Sequence, residues 1–203
     1  MQKRIKKAFK EGVGPIGRYT LRLADPSKAQ KEYNALVAFT LQFPLERFKT
    51  PEERAARHEK LAPLMQAYHA KANVRTVEFS NIVPIVGRNV LARIVGGDFT
   101  YTGEINEVAL GSGMTLPTDG DTELETETYR QSITDTTFLN NIAYLAAFIP
   151  SGSGTGMYNE AGLFIDGTGA ADSGQLFSHV LFTPTVDKQV LMSLTIDVSI
   201  TFT

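Results

Sequence analysis

The chain has 203 residues, 42 % of them hydrophobic and 21 % charged, with a net charge of -2 and no cysteine. That balance suits one globular domain with or without an appendage and excludes a largely disordered chain, and no apolar run approaches the ~18 to 20 residues of a spanning helix. The start lacks the apolar core of a secretory signal, so a cytoplasmically made, unprocessed chain is expected, and without thiols there are no disulfides or zinc-thiolate sites.

Residues 1–12 place Ile5 and Phe9 four apart among Lys3, Arg4, Lys6, Lys7 and Lys10, the pattern of a short basic helix with one apolar stripe. Gly12, Gly14, Pro15 and Gly17 then form a connector, and Tyr19, Leu21 and Leu23 alternate as a strand up to the Asp25-Pro26-Ser27 turn. Tyr33, Leu36, Val37, Thr40 and Leu41 follow at helical spacing, with Asp25 or Ser27 as cap. A second helix starts at Thr50-Pro51-Glu52-Glu53, where Thr50 and Glu53 make a capping box; Pro63 predicts a kink or break in it.

From Asn73 the period changes. Val74 to Val83 reads as a strand and Val86 to Val95 as a helix stopped by Gly96-Gly97; further strands are expected near 104–110, 126–138, 142–149, 161–165, 175–183 and 189–202. In the last, Val190, Met192, Leu194, Ile196, Val198, Ile200 and Phe202 share one face, as a half-buried strand requires. The expected fold is therefore α+β: a helical N-terminal extension followed by a mainly antiparallel β-sandwich. Charge supports a division. Residues 1–75 hold 16 basic and 7 acidic residues, a balance of +9, and the remainder holds 4 and 15, a balance of -11. Residues 1–75 are read as a basic, mainly helical docking region and 76–203 as the β-sandwich module.

Constellations of the kind that carry chemistry are weak. Gly152-Ser153-Gly154-Thr155-Gly156 lacks the lysine and helix start of a phosphate loop and is read as a flexible loop. The acidic row Asp119, Asp121, Glu123, Glu125 and Glu127 is out of register for a calcium loop and is read as a solvated strand face and turn. His58 and His69 lie about 16 Å apart along a helix, too far to share a metal, and His179 has no nucleophile motif beside it. No catalytic residue, cofactor site or metal site is expected, and none of the familiar hydrolase or metalloprotease motifs is present. The basic N-terminal residues Lys3, Arg4, Lys6, Lys7, Phe9 and Lys10 are read as a partner-docking arm; with one aromatic among the cations, protein is favoured over nucleic acid as the partner.

Gly87-Arg88-Asn89-Val90-Leu91-Ala92, the run from Ile105 to Gly113, Asp121-Thr122-Glu123-Leu124 with Glu127 and Arg130, the run from Asn159 to Phe164, and the run from Leu176 to Phe182 follow one another in order. From about residue 81 onward this order resembles a group of tailed-bacteriophage virion proteins of tails, baseplates, fibres or capsid surfaces. The resemblance implies a β-sandwich that forms homo-oligomers, trimers favoured, alongside other virion proteins, made in the host cytoplasm and carried on the virion, with no catalytic residue and no membrane partner. Within it Arg88, Arg130 and Glu160 are candidate structural residues, Glu160 bonding loop backbone or pairing with Arg88 or Arg130. Residues 1–80 do not match and are expected to select the site on the particle. Alternative readings are a carbohydrate-binding adhesin, for which Tyr101, Tyr129, Tyr144 and Tyr158 are the stacking platforms the β half offers and Tyr158 the one to test, and a capsid decoration protein.

Overall fold

Strands β1 (Ile16–Asp25), β2 (Asn73–Ser80), β5 (Asp135–Leu139), β6 (Ile142–Ile149) and β9 (Ser193–Thr201) form a five-stranded antiparallel sheet in the order β2-β1-β9-β6-β5. Strands β3 (Ile105–Gly111), β4 (Glu127–Ser132), β7 (Gly156–Ile165) and β8 (Gln175–Lys188) form the second sheet, ordered β4-β3-β7-β8. The structure is a computed structural model and describes residues 15–202. Between the sheets lies one apolar core to which β9 contributes Leu194, Ile196, Val198 and Ile200, each worth about 1.5–3 kcal/mol when fully buried.

Helices α1 (Gln30–Gln42) and α2 (Pro51–Lys71) pack on the outer face of the five-stranded sheet, where Tyr33, Leu36, Leu61 and Tyr68 bury against Ala24 and Phe148. The capping box of α2 forms as read, Thr50 Oγ1 accepting from Glu53 N (3.2 Å) and Glu53 Oε2 from Thr50 N (3.1 Å). Pro63 does not split the helix, which is continuous through it. Its ring sits on the exposed side, so the hydrogen bond it forfeits lies next to water. Helix α3 (Ile85–Val95) closes on β8: a Cβ added to Gly87 would sit 2.8 Å from Phe177 Cα, so only glycine permits this approach.

The α+β architecture agrees with the sequence, but the boundary at residue 75 does not survive as a structural division. Position 75 falls inside β2, and β1 lies between β2 and β9, so residues 16–25 are an interior strand of the sandwich. The physical reason is that β9 needs a hydrogen-bonding partner on each edge, and the alternating Tyr19, Leu21 and Leu23 supply the core side of one. The run expected as one strand over 126–138 is two strands in different sheets. At the crossing Ile133 N donates to Asn106 O and Thr134 N to Ala146 O, so adjacent residues serve opposite sheets. The final strand starts at Ser193 rather than 189, because residues 189–192 form a turn closed by Met192 N on Gln189 O.

That turn is anchored by Lys188, which is fully buried and donates from Nζ to Ser153 O (2.6 Å), Met192 O (2.9 Å) and Pro150 O (3.2 Å). Burial lowers its pKa to about 8 from 10.5. Lys188→Met should cost about 2 kcal/mol in chemical denaturation, since hydrogen bonds from a charged donor are lost. Because the folded pKa is below the unfolded one, the cost of burying the charge is in full below pH 8 and is relieved as pH rises to 10.5. The stability gap between wild type and Lys188→Met should therefore widen over that interval; a gap that narrows would refute the assignment.

Candidate functional site

Three strands and a long loop meet at Glu160 on β7. Its side chain is 1 % exposed; Oε1 accepts from Gly113 N (2.9 Å) and Thr126 N (2.8 Å), and Oε2 from Glu125 N (3.0 Å). His179 on β8 donates from Nε2 to Glu160 Oε2 (3.0 Å) and from Nδ1 to Asp121 Oδ2 (2.7 Å), so the imidazole is clamped between two carboxylates. Burial alone would raise the carboxyl pKa values of Glu160 and Asp121 and lower that of His179. The hydrogen bonds outweigh burial in each case: both carboxyls lie below their ordinary values and the imidazole above its own. The pattern is that of an imidazolium holding two carboxylates.

The clamp fixes the 112–126 loop between β3 and β4. Glu125 Oε2 accepts from Met114 N (2.7 Å) and Thr115 N (2.8 Å), and Asp121 from Thr118 N (2.9 Å), so two acids of the row also hold loop amides, while Asp119, Glu123 and Glu125 stay exposed as expected. Gly113 is required where Glu160 and Glu125 crowd its α-carbon. On this braced loop Met114 and Leu116 are 76 % and 73 % exposed.

Arg130 does not pair with Glu160. Its Nε and Nη2 fork onto Glu127 (2.8 and 2.6 Å), Nη1 reaches Ser173 O (2.8 Å), and the guanidinium stacks 4.2 Å from the Phe164 ring centroid. Arg88 bonds Asp119 (3.0 Å) near the surface. Of the two roles weighed for Glu160, the structure therefore gives it loop backbone and neither arginine, because three amides and an imidazolium occupy its oxygens. Lys3, Arg4, Lys6, Lys7, Phe9 and Lys10 lie outside the described residues. Sequence reading missed His179 and Asp121, 58 residues apart. The available signal was a histidine at an apolar strand position and an acid in the Asp-Gly-Asp turn.

A second region is a cleft of about 710 Å³ between α2 and the outer face of the five-stranded sheet. The strand register lays out its floor in rows: Arg18, Ser199, Tyr144 and Thr137 in one, Thr20, Asp197, Ala146 and Asp135 in the next. At its edges Asp135 accepts from His58 Nδ1 (2.6 Å) and from buried Arg57 Nη1 (3.2 Å). His69 bonds Thr195 Oγ1 (3.0 Å); burial, with Arg22 nearby, lowers its pKa to about 4, so it is neutral at pH 7. His58 and His69 thus have separate partners along α2.

The fold and these two sites define a two-sheet β-sandwich with a helical cover and an ionically braced loop. No protein-family model, curated protein or solved structure matches the chain.

Proposed function

We propose that the chain is a non-enzymatic structural component of a tailed-phage virion, in which the sandwich associates with copies of itself and the basic N-terminal residues dock onto the tail, baseplate, fibre or head scaffold. One observation carries the reading. The segments that resemble such virion proteins are scattered over residues 87–182, yet they converge: Glu160 from one ties Gly113 of another, Glu125 and Thr126 beside a third, and His179 of a fourth, while Gly87 of the first packs on Phe177. The shared pattern therefore corresponds to one device, a rigid loop platform. A loop that is held by buried charge and exposes Met114 and Leu116 suits a contact between subunits, since its ordering entropy is spent before association.

The full chain should be oligomeric, with a trimer favoured, in light scattering at high concentration and physiological salt. Removing residues 1–14 should leave the sandwich folded and abolish attachment to purified particles. The cut belongs there, because removal of 1–75 would take out β1. A strictly monomeric full chain, or absence of the protein from purified virions by mass spectrometry, would overturn the proposal.

A further inference from the structure

We propose that the cleft between α2 and the five-stranded sheet binds a neutral oligosaccharide, with Tyr144 as its stacking platform. This inference is independent of the virion reading.

The cleft joins two unlike surfaces. From α2 it receives Leu61, Ala62 and Met65, an apolar wall; from the sheet it receives the hydroxyls of Thr20, Thr137 and Ser199. Its volume, about 710 Å³, is within the range of small-molecule sites. Among the described residues none of those three hydroxyls takes part in a side-chain hydrogen bond, nor does the Gln66 amide at the cleft, so the cleft offers unspent donors and acceptors. Tyr144 is 39 % exposed beside them, whereas Tyr158 is 2 % exposed and donates to Gly154 O (2.7 Å). Of the four tyrosines offered by the sequence, Tyr158, the one singled out for testing, is thus buried, and the exposed ring in the cleft is that of Tyr144.

Charge selects the ligand class. Arg22 pairs with Asp197, Arg18 with Glu78 (3.6 Å), and Asp135 with both Arg57 and His58. An anion would face Asp197 and Asp135, a cation would face Arg18 and Arg22, and neither would meet an uncompensated counter-charge. A peptide strand has no foothold on the floor, because β1, β9 and β6 are each hydrogen-bonded on both edges. A neutral ligand with one C–H face and a rim of hydroxyls matches what remains: the C–H face against Tyr144 and the apolar wall, the rim on the floor.

The test is a printed array of neutral, sialylated and sulfated oligosaccharides probed with the full chain, followed by calorimetric titration of the strongest neutral binder. Tyr144→Ala should weaken that binding about tenfold or more, while Tyr144→Phe, which keeps the ring, should stay within about threefold. Ser199→Val, which keeps strand propensity but removes a floor hydroxyl, should weaken it several-fold and provides a second variant should Tyr144→Ala fail to fold. The proposal is overturned if no neutral oligosaccharide binds, if binding is confined to sialylated or sulfated chains, or if neither Tyr144→Ala nor Ser199→Val changes it. It is equally overturned if Tyr144→Ala instead lowers the oligomeric mass, which would make this face a contact between copies.

Discussion

Glu160→Ala should reduce folding stability by about 3–5 kcal/mol, because it strands a buried imidazolium and leaves three loop amides without their acceptor. For a chain of this size that corresponds to a fall in Tm on the order of 10 °C. Hydrogen exchange should locate the damage: amides of residues 112–126 lose protection first, while those of β1 and β9 keep theirs until global unfolding. A loss below about 1 kcal/mol, or unchanged loop protection, would show that the clamp does not hold the loop.

The same cluster sets a pH window in the wild type. Glu160 and Asp121 have folded pKa values below 4.5 and 3.8, so their contributions are complete above those values and fade as pH falls through the folded ones. His179 has a folded pKa above 6.5, so its contribution is complete below 6.5 and fades as pH rises through the higher value. Protection of the loop should be greatest between pH 4.5 and 6.5. His69 acts in the opposite sense under α2: with a folded pKa of about 4, its contribution is lost as pH falls from 6.5. Residue-resolved exchange separates the two, and loop protection that rises steadily with pH beyond 6.5 would contradict the clamp.

Arg130→Ala should cost a comparable amount, about 3–5 kcal/mol, measured by urea denaturation. The Arg130 and Glu127 side chains are 4 % and 3 % exposed, so the variant leaves an uncompensated carboxylate in the interior. It also removes the cation beside Glu107, whose pKa burial already raises, and frees Ser173 O in the turn before β8. The deficit should narrow as pH falls, since a proton neutralises a stranded carboxylate. Arg130→Lys should recover only part of the loss, because an ammonium cannot reproduce the two-pronged contact with Glu127 or the stacking on Phe164. Full recovery by lysine would mean that charge alone matters at this position.

Local rules were legible wherever one segment was enough to express them. Thr50 and Glu53 stand within one helical turn, so their capping box could be read directly; Leu194 to Ile200 alternate within one strand, so their common face could be read as well. The break at Ile133-Thr134 was not legible, because apolar alternation continues across a change of sheet and only the two long-range bonds, to Asn106 and Ala146, distinguish it. The acidic row from Asp119 to Glu127 misled for a related reason. Asp119, Glu123 and Glu125 are exposed as read, but Asp121 is tied to a histidine 58 residues away and the Glu127 side chain is buried against Arg130.

By itself the amino-acid order determined the α+β class, the helix start at Thr50, most strand positions and the polarity of the final strand, since each follows from periodicity or capping among near neighbours. Only the tertiary structure decided that β1 is an interior strand, that Glu160 answers to His179 rather than to an arginine, and that Tyr144 rather than Tyr158 is open. Those outcomes depend on which distant segments share a hydrogen bond or exclude water, and burial is a property of the assembled chain rather than of any stretch of it.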